Sequence, residues 1–301
     1  MTTMNRITAA AATAALVCFA GACGPEAQEE ALAGGDLGAV SPTIPPDHCL
    51  AGITSYATSG PFGYSTRTVN TYVKMWIPNV PAGCKIPVVH YANGTGARCS
   101  SYATVLARLA SHGFFGVCYE STNTGAGDQG IAAIQAALST YPNLVDHRIG
   151  STGHSQGGQA AFIVLQKAEQ RWAAMAPVLA GLAVEPASGY GAQPSGGTWQ
   201  SYYAAIRSPM FMFSGAGTDG LVSESWVRRA YTAMDDRTEA YFWAAYGARH
   251  VPPPNALTNQ VAIPWFRWKL LGDQNACRAF KALANQSPWV QRAAQNAQPC
   301  L

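Results

Sequence analysis

The chain is short of charge. Of its 301 residues only 12% are Asp, Glu, Lys or Arg, the net charge is +3, and no run of basic residues occurs. Nucleic acid is therefore not an expected partner, because tracking a phosphate backbone needs a concentrated basic surface. The eight cysteines contain no C-x-x-C pair, which argues against a zinc or thioredoxin-type site. There is no G-x-x-x-x-G-K-[ST], so a glycine-rich loop here does not read as a nucleotide cradle. No internal repeat and no second domain boundary is visible.

What is present starts with an export pattern. Met1 to Arg6 is a short basic stretch, and Ile7 to Ala20 is Ala-rich and apolar. That stretch is too short for a stable membrane span and reads as a signal peptide over residues 1–22. Phe19-Ala20-Gly21-Ala22-Cys23-Gly24 fits a lipoprotein signal with Cys23 lipidated, which would attach the chain to a membrane, and fits ordinary signal cleavage equally. Residues 23–47, rich in Glu, Ala, Gly and Pro, cannot bury a core and read as a disordered linker. The folded domain is expected over residues 48–301, as a monomer that is secreted or held at the cell surface.

Low charge and cysteine usage fit export. Cys18 and Cys23 belong to the leader; Cys49, Cys84, Cys99, Cys118, Cys277 and Cys300 remain. An even number in an exported chain points to disulfides, and six cysteines allow 15 pairings. Cys277 and Cys300 both lie in the C-terminal tail and are the first expected pair. Cys99–Cys118 would tie a helix start to the next strand, and Cys49–Cys84 is left by elimination. The alternative is that some are free buried thiols, which pack as small apolar groups.

From residue 63 on, strands and helices alternate. Strands are expected over residues 63–68, 69–77, 86–92, 114–119, 148–152, 175–179, 209–213 and, last, 239–244. Helices are expected over 101–111, 131–138, 159–167, 225–234 and 259–271, with a loop over 180–200. Such alternation implies an α/β fold: a mostly parallel central sheet with helices on both faces. In such sheets chemistry sits beyond the carboxyl ends of the strands.

One stretch sits where that chemistry belongs. Gly153-His154-Ser155-Gln156-Gly157-Gly158 reads G-x-S-x-G between a strand and a helix, the nucleophile elbow of the α/β-hydrolases. A serine hydroxyl is a poor nucleophile until a base sits beside it, and a sharp turn that exposes it requires small neighbours. In that fold the partners follow in the order Ser, acid, His. His250 is the only histidine downstream of Ser155, so it is the expected general base. Asp219, in Gly217-Thr218-Asp219-Gly220 after a strand, is the expected acid. The alternative for Asp219 is a plain turn residue, with Glu224 as the substitute acid and Asp235 and Asp236 solvated. His154 reads as packing support and His90 as a core histidine; His48, His112 and His147 read as surface or loop residues. An oxyanion hole needs two backbone N–H groups. Gln156, which follows the nucleophile, and Thr95, in the loop Asn93-Gly94-Thr95-Gly96, are the expected donors. The alternative for that loop is phosphate binding at a helix start.

With these residues the chain resembles the bacterial cutinase-like polyester hydrolases, an α/β-hydrolase branch related to dienelactone hydrolase and to some lipases. Three stretches carry the likeness: residues 93–101 followed by Arg108-Leu109-Ala110-Ser111-His112-Gly113-Phe114; the elbow; and the tail, where the family closes a disulfide at positions matching Cys277 and Cys300. The resemblance covers most of residues 60–300. It implies Ser155, Asp219 and His250 as a catalytic triad, Thr95 and Gln156 as oxyanion donors, and hydrolysis of esters, polymeric ones included, through an acyl-enzyme without a cofactor or metal. Three departures bear on substrate. The family usually has an aromatic residue where Thr95 stands and often Met where Gln156 stands. It also has a Trp after the strand that follows the elbow, where this chain reads Ala176-Pro177-Val178-Leu179. Those aromatics grip aromatic polyester. The segment 180–207 carries Tyr190, Trp199, Tyr202 and Tyr203, which would add aromatic contacts to the cleft or pack the loop down. Neighbouring readings are an acetyl or feruloyl esterase and, from another class, a non-catalytic binding protein on a hydrolase scaffold.

Overall fold

A computed structural model describes residues 48–50, 52–187 and 198–301. The expected leader and linker (1–47), with Cys23, and Tyr190 lie outside these residues.

Nine strands form one sheet in the order β1-β2-β4-β3-β5-β6-β7-β8-β9. They are β1 (Tyr64–Val69), β2 (Val73–Pro78), β3 (Ile86–Ala92), β4 (Phe115–Tyr119), β5 (Val145–His154), β6 (Val178–Val184), β7 (Met210–Gly215), β8 (Ala240–Ala245) and β9 (Trp289–Gln295). The six central strands, β4-β3-β5-β6-β7-β8, pair in parallel. Antiparallel strands β1, β2 and β9 close the two edges. All of β3, β7 and β8 is buried, because helices cover both faces of the parallel region. Gly150 and Gly153 of β5 show this directly. A Cβ on Gly150 would meet Phe266 at 2.9 Å, and one on Gly153 would meet the Gly157 carbonyl oxygen at 2.3 Å. Three residues apart on a strand, the two point to opposite faces.

The helices are α1 (Ala103–Ser111), α2 (Asp128–Thr140), α3 (Gln156–Arg171), α4 (Trp199–Ala204), α5 (Glu224–Ala233), α6 (Asn255–Leu271) and α7 (Gln274–Leu283). α6 packs on α1 and α7, while α2 to α5 pack in succession. The mixed α/β class with a mostly parallel sheet is as expected. No helix among the described residues is long and apolar enough to cross a membrane.

Several boundaries differ from the sequence reading. The expected strand at 69–77 breaks at Asn70 and Thr71, which take φ of 52° and 63° and turn the chain. The expected strand at 175–179 is displaced: Met175 ends a short 3-10 turn, and the strand is β6. Leu179-Ala180-Gly181-Leu182 is too small-sided to announce a strand. It is one because α3 and β7 press close; a Cβ on Gly181 would meet Leu165 at 2.7 Å and Met210 at 2.1 Å. The position after that strand is therefore Glu185-Pro186-Ala187, not residues 176–179. β8 is not the last strand, since α7 and the half-exposed β9 follow it. His112, expected as a surface or loop residue, lies in the turn after α1 but is fully buried, with a ring nitrogen 3.0 Å from the Thr58 carbonyl. Trp199 and Tyr203 are buried, so this part of the 180–207 segment packs down.

The three expected disulfides form: Cys49–Cys84, Cys99–Cys118 and Cys277–Cys300, which suits an oxidising compartment. Cys277–Cys300 spans a sequence separation of 23 residues and pins the tail to α7. Replacing both by Ser should destabilise the fold by about 3 kcal/mol, the loop-closure entropy restored to the unfolded chain. Urea unfolding reads this, and an unchanged midpoint would show the crosslink to be idle.

Candidate active site

Strand order places the site. The chain leaves β3 for β4 on one side and crosses to β5 on the other. The loops after β3 and β5 therefore diverge and leave a crevice at their carboxyl ends. The loop after β3 is Asn93-Gly94-Thr95-Gly96; the residue after β5 is Ser155.

Ser155 has φ 58° and ψ −120°. A non-glycine residue held there stores roughly 1–3 kcal/mol of strain, and the surroundings enforce it. Its N–H donates to the Val184 carbonyl at 3.0 Å, and its own carbonyl accepts from Gln159 at 3.2 Å and Ala187 at 3.1 Å. The turn closes so tightly that a Cβ on Gly157 would lie 2.1 Å from the Ala92 carbonyl oxygen.

Two loops bring partners to it. Asp219 follows β7 and His250 follows β8. His250 Nε2 lies 2.8 Å from Ser155 Oγ, and its Nδ1 lies 2.9 Å from Asp219 Oδ2. Asp219 makes both a turn contact and a histidine contact, one per oxygen. Oδ1 accepts the turn amides of Leu221 (2.8 Å) and Val222 (2.9 Å), and Oδ2 faces the imidazole. Burial pushes this carboxyl up, but the His250 hydrogen bond and the two amides outweigh it and hold it below the ordinary range. An ionised carboxylate only accepts, so Nδ1 carries a proton, and whenever the ring is neutral it is Nε2 that accepts from the serine hydroxyl. Burial pushes His250 down, yet hydrogen bonds and charge from Asp219 and Glu185 prevail and raise it to about 9. Glu224, the substitute acid, sits on α5 and pairs with Arg228 and Arg292 instead.

The expected oxyanion donors stand beside the serine, Gln156 next to it in the chain and Thr95 in the same cleft. Gln156 opens α3, so its N–H has no acceptor within the helix. In the β3 loop, Gly94 N–H donates to Tyr102 Oη, Gly96 N–H to Thr122 and Ala97 N–H to Gly94. The Thr95 amide has no acceptor among the described residues. The loop is braced: Asn93 Nδ2 donates to the carbonyls of Tyr119 and Ser121, and Cys99–Cys118 joins the two ends nearby. Thr95 and Ser155 share a cleft of 560 Å³ whose lining includes the apolar side chains of Leu221, Trp226, Val251 and Pro253.

One functional candidate escaped the sequence. Glu185 is fully buried beside both His154 and His250. A lone acid after a run of small residues carries no pattern that would single it out. Ligand atoms of these three residues lie within 4.8 Å of one another, the one group with metal-ligand spacing among the described residues, although Asp219 already holds His250 Nδ1. His154, expected as packing, lies ring to ring with His250 at 4.5 Å between centroids. No family model matches this chain and no curated protein matches it.

Two outcomes follow. Gly157→Ala in an ordinary helix would stabilise by about 1 kcal/mol. Here overpacking at about 1–3 kcal/mol or more wins, because the clashing atom is backbone. Thermal unfolding should show a lower midpoint, and a raised one would refute the tight turn. Any reaction that uses His250 as base should lose rate as pH falls below about 9, where the imidazole takes up its proton. A pH–rate profile with no acid limb would contradict this.

Proposed function

We propose that this chain is an exported serine ester hydrolase with the α/β-hydrolase fold, of the cutinase, lipase and polyester hydrolase type. The observation that carries the reading is the continuous hydrogen-bonded chain Ser155–His250–Asp219 at the carboxyl ends of parallel strands, with Ser155 held at positive φ. His250 Nε2 takes the hydroxyl proton as Ser155 Oγ attacks the ester carbonyl. The tetrahedral oxyanion is received by the N–H groups of Thr95 and Gln156. Asp219 keeps the imidazole in its tautomer and balances the imidazolium, which protonates the departing alcohol. A water then enters, His250 takes its proton, and the acid leaves with Ser155 restored.

The cleft favours aliphatic over aromatic acyl groups. Thr95 and, from the Glu185-Pro186-Ala187 turn, Ala187 stand where the resemblance has aromatic residues, and the apolar lining is Leu221, Val222, Val251 and Pro253 beside Tyr102 and Trp226. Leu221 and Val251 are 64% and 70% exposed, an apolar rim suited to an insoluble substrate surface.

The test is hydrolysis of p-nitrophenyl butyrate together with clearing of a suspended aliphatic polyester. Wild type should do both, and Ser155→Ala should lose butyrate hydrolysis on the order of a million-fold. Retained activity in Ser155→Ala would sink the reading, and butyrate hydrolysis without clearing would restrict it to small esters.

A further inference from the structure

A second carboxylate stands behind His250. Glu185 follows β6, and its N–H donates to the Phe213 carbonyl at 2.9 Å. Its φ is 44°, a left-handed conformation that non-glycine residues take only when held there. Its side chain is 0% exposed. Oε2 lies at charge-pair distance from His250 Nδ1 (3.5 Å) and His154 Nε2 (3.4 Å), and neither oxygen makes a hydrogen bond among the described residues. A carboxylate buried this deeply needs a partner, and the two imidazoles are what it faces.

The orientation of His154 follows from its other side. Gly94 N–H donates to Tyr102 Oη at 2.9 Å. The single hydroxyl proton of Tyr102 is then free for His154 Nδ1, 3.2 Å away. Burial holds His154 below its ordinary range, so the ring is neutral and presents Nε2–H to Glu185. The result is one polar chain from the β3 loop to the base: Gly94, Tyr102, His154, Glu185, His250.

We propose that Glu185 is a positioning residue for His250, a second acceptor on its Nδ1 edge that His154 and Tyr102 brace against the loop carrying Thr95. This rests on the serine hydrolase reading. Asp219 comes from the loop after β7, Glu185 from the end of β6, and His154 from the end of β5; among the described residues these are the titratable groups that face His250. Tyr102 stands beyond His154, and Tyr91 of β3 feels the Glu185 charge. With two carboxylates on one edge, the imidazolium is stabilised twice and Asp219 is partly replaceable. The carboxylate that remains still fixes the tautomer.

Two readouts test this, one independent of activity. The first is the imidazole titration of His250 by NMR in Ser155→Ala protein, with and without Glu185→Gln. Loss of a neighbouring opposite charge should lower the His250 midpoint by about one pH unit or more. The second is kcat/KM for p-nitrophenyl butyrate against pH. Glu185→Gln should move the acid limb the same way, and Glu185→Asp should restore part of the shift. Asp219→Asn should lose about a hundredfold, and Asp219→Asn with Glu185→Gln about ten thousandfold, the loss expected of a histidine with no carboxylate to set its tautomer. An unmoved His250 titration in Glu185→Gln overturns the proposal. So does an Asp219→Asn enzyme that already loses about ten thousandfold, and this arm, which leaves Glu185 in place, decides if Glu185→Gln fails to fold. Absence of esterase activity in wild type would instead remove the hydrolase reading, while the NMR titration still judges the contact.

Discussion

The left-handed backbone at Ser155 is the constraint on which the rest of this structure depends. A side chain at φ 58° is held there only if strand and helix are locked on either side of it. β5 is locked by parallel pairing with β3 and β6, and α3 by near-contact of Gly157 with the Ala92 carbonyl. The hydrogen bonds from Ser155 to Val184 and from Ala187 to Ser155 make the end of β6 part of the same turn. The strain therefore ties three strand ends into one rigid frame and raises the serine hydroxyl into the cleft.

That frame explains how neutral and charged groups coexist in a buried setting. Asp219 is held ionised by two turn amides and one imidazole, so its cost of burial is met by three hydrogen bonds. His154 lies as deep, with only the Tyr102 hydroxyl at hydrogen-bond distance (3.2 Å) among the described residues, and burial keeps it neutral. Two histidines whose rings lie 4.5 Å apart thus differ in state because only one has a hydrogen-bonded carboxylate at 2.9 Å. Groups whose environments push their protonation apart in this way mark acid–base sites.

Much of the fold was legible because its signals are local. The apolar run of β3, the helical spacing in α1 and the glycines around Ser155 announce themselves within a few residues. β6 did not, because Ala and Gly at its centre are chosen by the closeness of Leu165 and Met210, which no local pattern displays. β9 did not either; as an edge strand with a burial pattern of mixed exposure it lacks the apolar run of its neighbours. His112 does sit in a turn, but its burial was not legible, because the segment that supplies its partner, the Thr58 carbonyl, lies 54 residues away in the chain.

By itself the sequence determined the alternation of strands and helices, the serine between glycines, and the order serine, aspartate, histidine. It did so because backbone conformation and chain order are encoded residue by residue. Only the tertiary structure decided that Asp219 Oδ2 and Ser155 Oγ meet opposite nitrogens of one imidazole, at 2.9 and 2.8 Å. It alone decided that Glu185, 65 residues before His250 in the chain, shares the Asp219 edge of that ring. The reason is geometric: parallel strands with crossover helices bring distant segments to the same sheet end, and which side chains then face one another depends on register and depth.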